Sequence, residues 1–162
     1  MKTLIVYKSK HGAAKEAASY ISQKLPADMQ EAADTLSVAG YDQILFIGSI
    51  YAGRLAKQLV HCIRNAEKEL SETSVSMLLS GMGREAPEKV ITENLGKPWY
   101  QKLSCAECIG GRLNFRQLGF MEKKIIRMVN KQAHLYEDET AELVDQLDWE
   151  KIDAIITELS HD

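Results

Sequence analysis

The fold is decided by the stretch Thr3-Leu4-Ile5-Val6-Tyr7-Lys8-Ser9-Lys10-His11-Gly12-Ala13-Ala14-Lys15. In it an apolar run gives way at once to a small polar loop, and the loop leads into a helical pattern. A strand that passes through a Ser/Gly loop into a helix directs several backbone N–H groups to one place, where the helix dipole also favours negative charge. The stretch therefore predicts a phosphate-binding loop after a buried strand.

The residues of this loop narrow the choice of phosphate ligand. A dinucleotide loop needs three spaced glycines and a triphosphate loop ends in Gly-Lys-Ser/Thr, and the stretch has neither. It also lacks the cysteine of a phosphotyrosine phosphatase and the aspartates of a phospho-acceptor receiver domain. Ser9 followed by Gly12 suits a monophosphate held by main-chain amides, with FMN the leading candidate. The alternative is an ordinary strand-to-helix turn without a ligand.

Apolar runs predict five strands along the chain. The clearest are Leu4 to Tyr7, Gln43 to Gly48 and Val75 to Leu79, and weaker ones lie within Met29 to Thr35 and Cys105 to Gly110. Helical patterns alternate with them. Because each parallel crossover places a helix over the sheet, this order predicts a doubly wound α/β domain, with a five-stranded parallel sheet and helices on both faces.

The helical patterns are separated by clear breaks. They cover Gly12 to Leu25, about Leu55 to Leu70, Glu85 to Leu103 with a break around Gly96-Lys97-Pro98, and Trp149 to Leu159. Asp148 is a good N-cap for the last of them. Ligands of doubly wound sheets bind beyond the carboxyl ends of the strands, so we expect the site in the loops that follow strands.

Length and charge exclude several classes of protein. A chain of 162 residues falls in the single-domain range, and a formal net charge of -3 argues against a nucleic-acid binder. No apolar run approaches the ~20 residues that a membrane-spanning helix needs, and Met1-Lys2-Thr3 leads into a core strand rather than a signal peptide. We therefore expect one domain over residues 1–162 in a soluble, cytoplasmic protein.

The three cysteines do not form a recognisable metal or disulfide pattern. Their odd number argues against a disulfide framework, although Cys105-Ala106-Glu107-Cys108 has the spacing of a redox pair or of half a zinc site. There is no second cysteine pair, and the nearest downstream histidine is His134. The pair also does not open a helix, where a thiol would gain a lowered pKa. We expect no metal site, and a redox role for the pair is the alternative reading.

Two further loops follow the third and fourth strands. They read Ser49-Ile50-Tyr51-Ala52-Gly53-Arg54 and Ser80-Gly81-Met82-Gly83-Arg84. Because the carboxyl ends of parallel strands meet at one edge, both loops are expected beside the phosphate loop. Glycines let the backbone approach a flat ring, and main-chain N–H and C=O groups suit the polar edge of an isoalloxazine.

Four side chains in the three loops are candidates for a role in binding or chemistry. Tyr51 either lies against a flavin or packs under its own loop. Arg54 and Arg84 either place positive charge near the flavin or a substrate carboxylate, or are solvated at helix starts. His11 is a candidate proton carrier, although a loop histidine beside a phosphate more often only positions it. No residue is required as a catalytic base, so the catalytic residue stays unknown.

The second half of the chain carries distinctive motifs. They are Pro98-Trp99-Tyr100-Gln101-Lys102-Leu103, Ile109-Gly110-Gly111-Arg112-Leu113-Asn114-Phe115, Phe120-Met121-Glu122-Lys123-Lys124-Ile125-Ile126-Arg127-Met128, Glu137-Asp138-Glu139-Thr140 and Asp148-Trp149-Glu150-Lys151-Ile152. On these motifs the chain resembles, nearly from end to end, the flavodoxin-like protoporphyrinogen dehydrogenases of bacterial haem biosynthesis. Short electron-carrier flavodoxins do not have them.

The resemblance implies that FMN is the cofactor and indicates which residues bind it. Its phosphate would lie at Ser9, Lys10, His11, Gly12, Ala13 and Ala14, and its ring between Ser49, Ile50, Tyr51, Ala52 and Gly53 on one side and Ser80, Gly81, Met82 and Gly83 on the other. Two features depart from the family pattern. Ala14 stands where a hydroxyl residue is common, and the loop after the fourth strand lacks the tyrosine that many flavodoxins stack on the ring. Both departures predict weaker FMN binding.

The resemblance also implies an activity, the oxidation of protoporphyrinogen to protoporphyrin with electrons passed to a quinone. Arg54, Arg84, Arg112 and Arg116 are the candidates for holding the substrate carboxylates. An alternative is an electron-transfer flavodoxin that serves another redox protein. A third reading is a domain that has lost FMN and serves interaction only.

Residues 111–147 form an insert between the fifth strand and the last helix, and long inserts in compact domains are often functional. In it Met121, Ile125, Met128 and Val129 share one helical face, and Lys123, Lys124, Arg127 and Lys131 share the opposite one. Such a helix over about residues 120–131 predicts contact with an anionic membrane surface or with the propionates of a porphyrin. The alternative is a core-packed helix with a solvated basic face.

Overall fold

The computed structural model describes residues 1–161 and has a parallel sheet between two layers of helices. The strands are β1 Thr3–Lys8, β2 Ala27–Glu31, β3 Gln43–Tyr51, β4 Arg54–Leu55, β5 Ser74–Ser80, β6 Cys105–Cys108, β7 Arg112–Asn114 and β8 Leu143–Asp145. The helices are α1 Ala13–Lys24, α2 Lys57–Asn65, α3 Pro87–Leu95, α4 Lys97–Lys102, α5 Phe120–Ala133 and α6 Trp149–Leu159, with short 3₁₀ helices at Glu69–Glu72 and Phe115–Gln117. None of the helices within residues 1–161 is long and apolar enough to cross a bilayer.

The main sheet has the strand order β2-β1-β3-β5-β6, and every neighbouring pair in this order is parallel. The chain first adds β2 on one side of β1 and then β3 on the other. At this reversal the carboxyl ends of the strands open a crevice for a ligand. The predicted α/β fold, with a five-stranded parallel sheet and helices on both faces, is confirmed.

Side chains of the central strands are buried on both faces of the sheet. In β1, Leu4 and Val6 belong to the core under α2, α3 and α4, whereas Ile5 and Tyr7 belong to the core under α1 and α6. Residues 44–47 of β3 repeat this alternation, and all of them are fully buried. Burial of apolar surface contributes about 25 cal/mol per Å², so these strands are the main source of stability.

The C-terminal helix α6 lies beside α1 on one face of the sheet. The rings of Tyr20 and Trp149 meet edge to face with centroids 4.9 Å apart, and Tyr20 Oη donates to Asp153 Oδ1 at 2.8 Å. The predicted start of α6 is confirmed, because the carboxylate of Asp148 accepts a hydrogen bond from the N–H of Lys151 at 2.9 Å. That bond satisfies one of the unpaired donors of the first turn.

Several predicted boundaries were wrong, among them the end of the third strand, which extends to Tyr51 rather than Gly48. β2 spans Ala27–Glu31 rather than lying within Met29 to Thr35, because the chain leaves α1 directly into pairing with β1. The helix predicted from about Leu55 is shorter at both ends, since Leu55 pairs with Ile50 in a hairpin and α2 ends at Asn65. Leu55 fits the apolar spacing of the predicted helix, but it lies in the short strand β4.

The insert has a small core of its own. Its strands β7 and β8 form an antiparallel ribbon, and α5 packs over them through Ile126. Phe115 and Tyr136 meet edge to face at 5.6 Å between ring centroids. The buried Asn130 side chain accepts from the N–H of Tyr136 at 2.9 Å and donates to its C=O at 3.1 Å, which fixes the turn after α5.

Close backbone contacts hold the insert against the main sheet. The N–H of Gly81 donates to Gly110 C=O at 3.0 Å, and the N–H of Gln146 donates to Gly111 C=O at 2.7 Å. A Cβ atom on Gly111 would lie 2.5 Å from the carbonyl carbon of Gly81. Arg112 adds ion pairs to Glu16 of α1 and to Asp145 of β8. Only glycine permits the chain to cross the sheet edge this closely.

Gly110 provides a test of this crossing. It has φ +77°, and a Cβ atom there would lie 1.9 Å from Gln146 O, whereas Gly40 has φ +81° with nothing within 4 Å. We expect Gly40→Ala to lower the free energy of unfolding by about 1–2 kcal/mol, the cost of a left-handed backbone, and Gly110→Ala to lower it by clearly more. Urea unfolding of the two variants measures the difference, and equal losses would contradict the close crossing.

Candidate functional site

The loop of residues 9–12, here called the phosphate loop, joins β1 to α1. Its last residue, Gly12, is the N-cap of α1 with φ 88° and ψ −15°, and no side chain of residues 1–161 caps the helix. The Glu16 N–H donates to Gly12 C=O at 2.9 Å. The N–H groups before Glu16 are therefore free of helical bonds, and they lie at the positive end of the helix dipole.

Two polar atoms of the phosphate loop are buried without a hydrogen-bond partner in the described part of the chain. They are Ser9 Oγ and His11 Nε2. An unpaired buried polar atom costs about 1–3 kcal/mol, and a bound anion would accept a hydrogen bond from each of these groups. This observation favours a phosphate site over an empty strand-to-helix turn.

The predicted departure at Ala14 has a structural explanation. Its side chain is fully buried in the core between α1 and the sheet. The Ala14 methyl group packs in this core, so the backbone N–H is the donor that the residue can offer a ligand. The phosphate loop therefore has one side-chain hydroxyl, that of Ser9, beside its main-chain donors.

Burial controls the charge of His11. It lowers the pKa of the His11 imidazole from its usual value, the positive charge of Lys10 lowers it further, and the carboxylate of Glu122 acts in the opposite direction. In the absence of a ligand the ring is accordingly neutral at pH 7. A bound phosphate would add negative charge beside the ring and raise its pKa.

The loop after β3 is a two-residue hairpin. Tyr51 pairs with Arg54, and the residues between them, Ala52 and Gly53, both have positive φ, 49° and 74°. This is the backbone of the tight turns that match the twist of paired strands. Asn94 of α3 secures the turn, since its amide donates to Gly53 C=O at 3.1 Å and accepts from the N–H of Leu55 at 3.0 Å.

A cavity of about 350 Å³ opens between the three loops and the insert. That volume lies in the range of about 300–1,000 Å³ typical of small-molecule sites. All predicted cofactor-binding residues line it except Ser9, Gly12 and Ala14, which belong to the phosphate loop and the start of α1 beside it. The insert forms the facing wall, contributing Leu113, Ile125, Ile126, Val129, Ala133 and Leu135.

Lys10 connects the three parts of the site. Its N–H donates to Ser49 Oγ at 3.0 Å, which ties the phosphate loop to the hairpin. Its Nζ lies 3.6 Å from the centroid of the Tyr51 ring and 3.8 Å from Glu122 Oε2 on α5. Tyr51 thus packs against a cation and the core of the insert, and it also lines the cavity.

The four predicted substrate arginines have different surroundings. Arg112 borders the cavity, but its guanidinium is paired with Glu16 and Asp145. Arg116 is exposed and paired with Glu142, and Arg54 is exposed outside the lining. Arg84 lines the cavity and also the adjoining groove beside His134. Among these four, Arg84 is the one that lines the cavity without an ion pair to any residue from 1 to 161.

The cysteines of the Cys-x-x-Cys motif lie on opposite faces of the sheet. Cys105 packs against the core under α1 and α6, and Cys108 packs against the core under α2, α3 and α4. Two thiols separated by a sheet cannot form a disulfide or share a metal. Cys108 lines the cavity, but burial raises the pKa of its thiol, which makes it a poor nucleophile.

Sequence reasoning missed the residues that position the loops from elsewhere in the chain. Asn94 and Glu122 act on loops that are distant in sequence, and nothing local marks them. The sequence pattern predicts one apolar face of α5, which includes Ile125 and Val129, and this was the only local indication of the cavity wall. Nothing in the pattern predicts that this face borders the same cavity as the loops.

The fold and the site together define an α/β protein that holds a mononucleotide at the switch point of its sheet. A family model described as "Flavodoxin domain" matches residues 4–141. The chain therefore belongs to the flavodoxin family. Membership, together with the fit of the phosphate loop and cavity, confirms FMN as the predicted cofactor. No curated protein matches the sequence significantly.

Solved structures are similar to the chain at low sequence identity. A flavoprotein in complex with FMN from Lactobacillus acidophilus matches with a TM-score of 0.50 and 16% identity, over 68% of this chain and 92% of that one. Rubredoxin oxygen:oxidoreductase from Desulfovibrio gigas matches with a TM-score of 0.53 and 8% identity, over 82% of this chain and 35% of that one. A WrbA-like flavodoxin from Agrobacterium tumefaciens matches over 49% of this chain and 59% of its own, with 17% identity and a TM-score of 0.43.

The phosphate loop is tested by a charge placed at its N-cap. We expect Gly12→Asp to abolish FMN binding, because the carboxylate would repel the phosphate at the helix end. The matched control is Gly40→Asp, since Gly40 has nearly the same φ and an added Cβ atom would meet nothing within 4 Å at either position. Titration of apoprotein with FMN, followed by flavin fluorescence, measures both. Unchanged affinity in Gly12→Asp would show that the phosphate binds elsewhere.

His11 predicts a pH dependence of the apoprotein. A group with a lowered pKa in the folded state stabilises that state above its unfolded pKa of about 6.5, and this contribution is lost as the pH falls through the folded value. The free energy of unfolding should therefore fall more between pH 7 and pH 5 for the wild type than for His11→Gln. Urea unfolding at both pH values measures this, and equal slopes would place the His11 ring in solvent.

Proposed function

We propose that the protein is an FMN-dependent dehydrogenase that takes electrons from a porphyrinogen and passes them to a quinone. The observation that carries the proposal is the wall that Leu113, α5 and Leu135 form across the cavity from the three loops. This wall covers one side of the cavity that the loops border. A protein that only exchanges electrons with a protein partner needs an accessible flavin edge, whereas an enzyme needs an enclosed place for its substrate.

The lining of this space suits a large, largely apolar substrate with acidic groups at its rim. The insert contributes apolar side chains, among them Ile125, Ile126 and Val129. Arg84 supplies a guanidinium at the edge, with no ion pair to any residue from 1 to 161. Arginine binds a carboxylate through two parallel hydrogen bonds, so Arg84 fits a propionate of the ring.

The chain's own residues would bind and orient the reactants. The phosphate loop would hold FMN by its phosphate, and the hairpin secured by Asn94 would fix the plane of the ring. When bound, FMN supplies the group that accepts electrons from the substrate and releases them to a second acceptor. The apolar wall would exclude water from this region, and His11, which lines the cavity, would adjust the charge beside a bound phosphate.

Anaerobic turnover tests the proposal. Purified, FMN-reconstituted protein is mixed with protoporphyrinogen and a menaquinone analogue, and porphyrin fluorescence and flavin absorbance are followed together. We expect the porphyrinogen to reduce the flavin and the quinone to sustain turnover. A bound flavin that the porphyrinogen does not reduce would overturn the proposal in favour of an electron-transfer flavodoxin with a redox protein as partner.

Arg84→Gln refines the test of substrate binding. Loss of a charged hydrogen bond costs about 1.5–3 kcal/mol, so we expect KM for the porphyrinogen to rise about tenfold or more with little change in FMN affinity. Arg54→Gln is the matched control, because Arg54 is also an exposed arginine of these loops but lies outside the cavity lining. An equal KM in the two variants would remove Arg84 from the substrate site.

A further inference from the structure

The exposed apolar surface of the protein is concentrated on the insert. In the part of the chain that the structure describes, eight large hydrophobic side chains are exposed, and two of them, Met1 and Met29, lie outside the insert. The other six are Phe120, Met121, Ile125, Met128, Val129 and Leu143. Met121 is 65% exposed and Met128 is 56% exposed, so these side chains are not covered by the insert's own core. Exposed large apolar side chains grouped on one segment in this way indicate an interaction surface.

The helix α5 carries this patch beside a row of cations. Met121, Ile125 and Met128 recur at helical spacing on one side, and Lys124, Arg127 and Lys131 lie on the other. The acid of the helix, Glu122, is paired with Lys10. Four basic side chains of the helix form no ion pair within residues 1–161, namely Lys123, Lys124, Arg127 and Lys131.

We propose that α5 lies in the interface of an anionic lipid bilayer, with its apolar side among the acyl chains and its basic side at the headgroups. This arrangement is that of interfacial amphipathic helices, in which lysine and arginine extend to lipid phosphates. Charge complementarity favours lipid over a second copy of the chain, because two α5 helices in contact would bring like charges together. The acidic residues 137–139 follow the left-handed turn at His134, beyond the end of the helix.

The apolar patch is continuous with the cavity. Ile125 and Val129 are 44% and 42% exposed and also line the cavity wall. An apolar molecule dissolved in the membrane could thus move from the acyl chains along α5 to the site without crossing bulk water. This route does not depend on which substrate the site takes, and it would serve a quinone if the proposed dehydrogenase function holds.

Vesicle sedimentation with the FMN-loaded protein tests the proposal. The vesicles are phosphatidylcholine alone or phosphatidylcholine with phosphatidylglycerol, at low and at high salt. We expect the protein to sediment with the anionic vesicles at low salt and at least fivefold less with the neutral ones, and we expect salt to weaken the interaction. Absence of sedimentation with anionic vesicles above a vesicle-free control would overturn the proposal.

Paired variants identify the surface responsible. Met121→Gln with Met128→Gln removes apolar side chains that do not line the cavity, and Lys124→Glu with Lys131→Glu reverses charge. Each pair should reduce vesicle binding at least fivefold, whereas the controls Met29→Gln and Lys68→Glu should not. Flavin absorbance and circular dichroism check that every variant is folded.

Equal binding by the α5 variants and the wild type would overturn the assignment to α5. A dimer in solution that the methionine variants disrupt, without vesicle binding by the wild type, would also overturn it and identify a second copy as the occupant. Neither readout uses porphyrinogen turnover. The membrane proposal and the proposed enzymatic function can therefore fail separately.

Discussion

The in-register parallel pairing of β1, β3 and β5 is the constraint on which the site depends. Lys8 is opposite Gly48, and Ser49 is opposite Ser80, so the three strands end at nearly the same level. Each loop then begins beside the next, and short contacts such as Lys10 N–H to Ser49 Oγ become available. A shift of one residue in either pairing would turn every buried side chain of that strand to the other face, which the two helical layers forbid.

The phosphate loop and the insert contribute to the site in different ways. The loop leaves donors unpaired at a helix end, a cost that a bound phosphate offsets. The insert adds a wall, yet its own core is small, and it is attached through the hydrogen bonds at Gly81, Gly110 and Gly111 together with ion pairs such as Arg112 to Glu16. Its position therefore follows the backbone at the sheet edge closely, and the hairpin also contacts it, because Tyr51 packs against the insert's core.

A structural feature could be predicted from the sequence when a few neighbouring residues determine it, and not when it depends on residues far apart in the chain. The phosphate loop and the Asp148 cap were predictable, since a few adjacent residues determine them. Leu55 was misassigned because one apolar residue fits the spacing of a helix as well as the end of a hairpin. The clamp by Asn94 and the pairing of Arg112 with Glu16 join residues far apart in the chain, so only the folded structure reveals them.

The position of α6 beside α1 has a consequence for synthesis on the ribosome. One face of the sheet is covered by α1 and by α6, and α6 follows every strand of the main sheet in the chain, so it is synthesised after them. Until residues 149–159 emerge, apolar side chains such as Leu78 and Ile109 lack part of their cover. While residues 109–148 are synthesised, the nascent chain therefore carries a sheet with one face incompletely covered, and chaperones that recognise exposed apolar segments have access to that face.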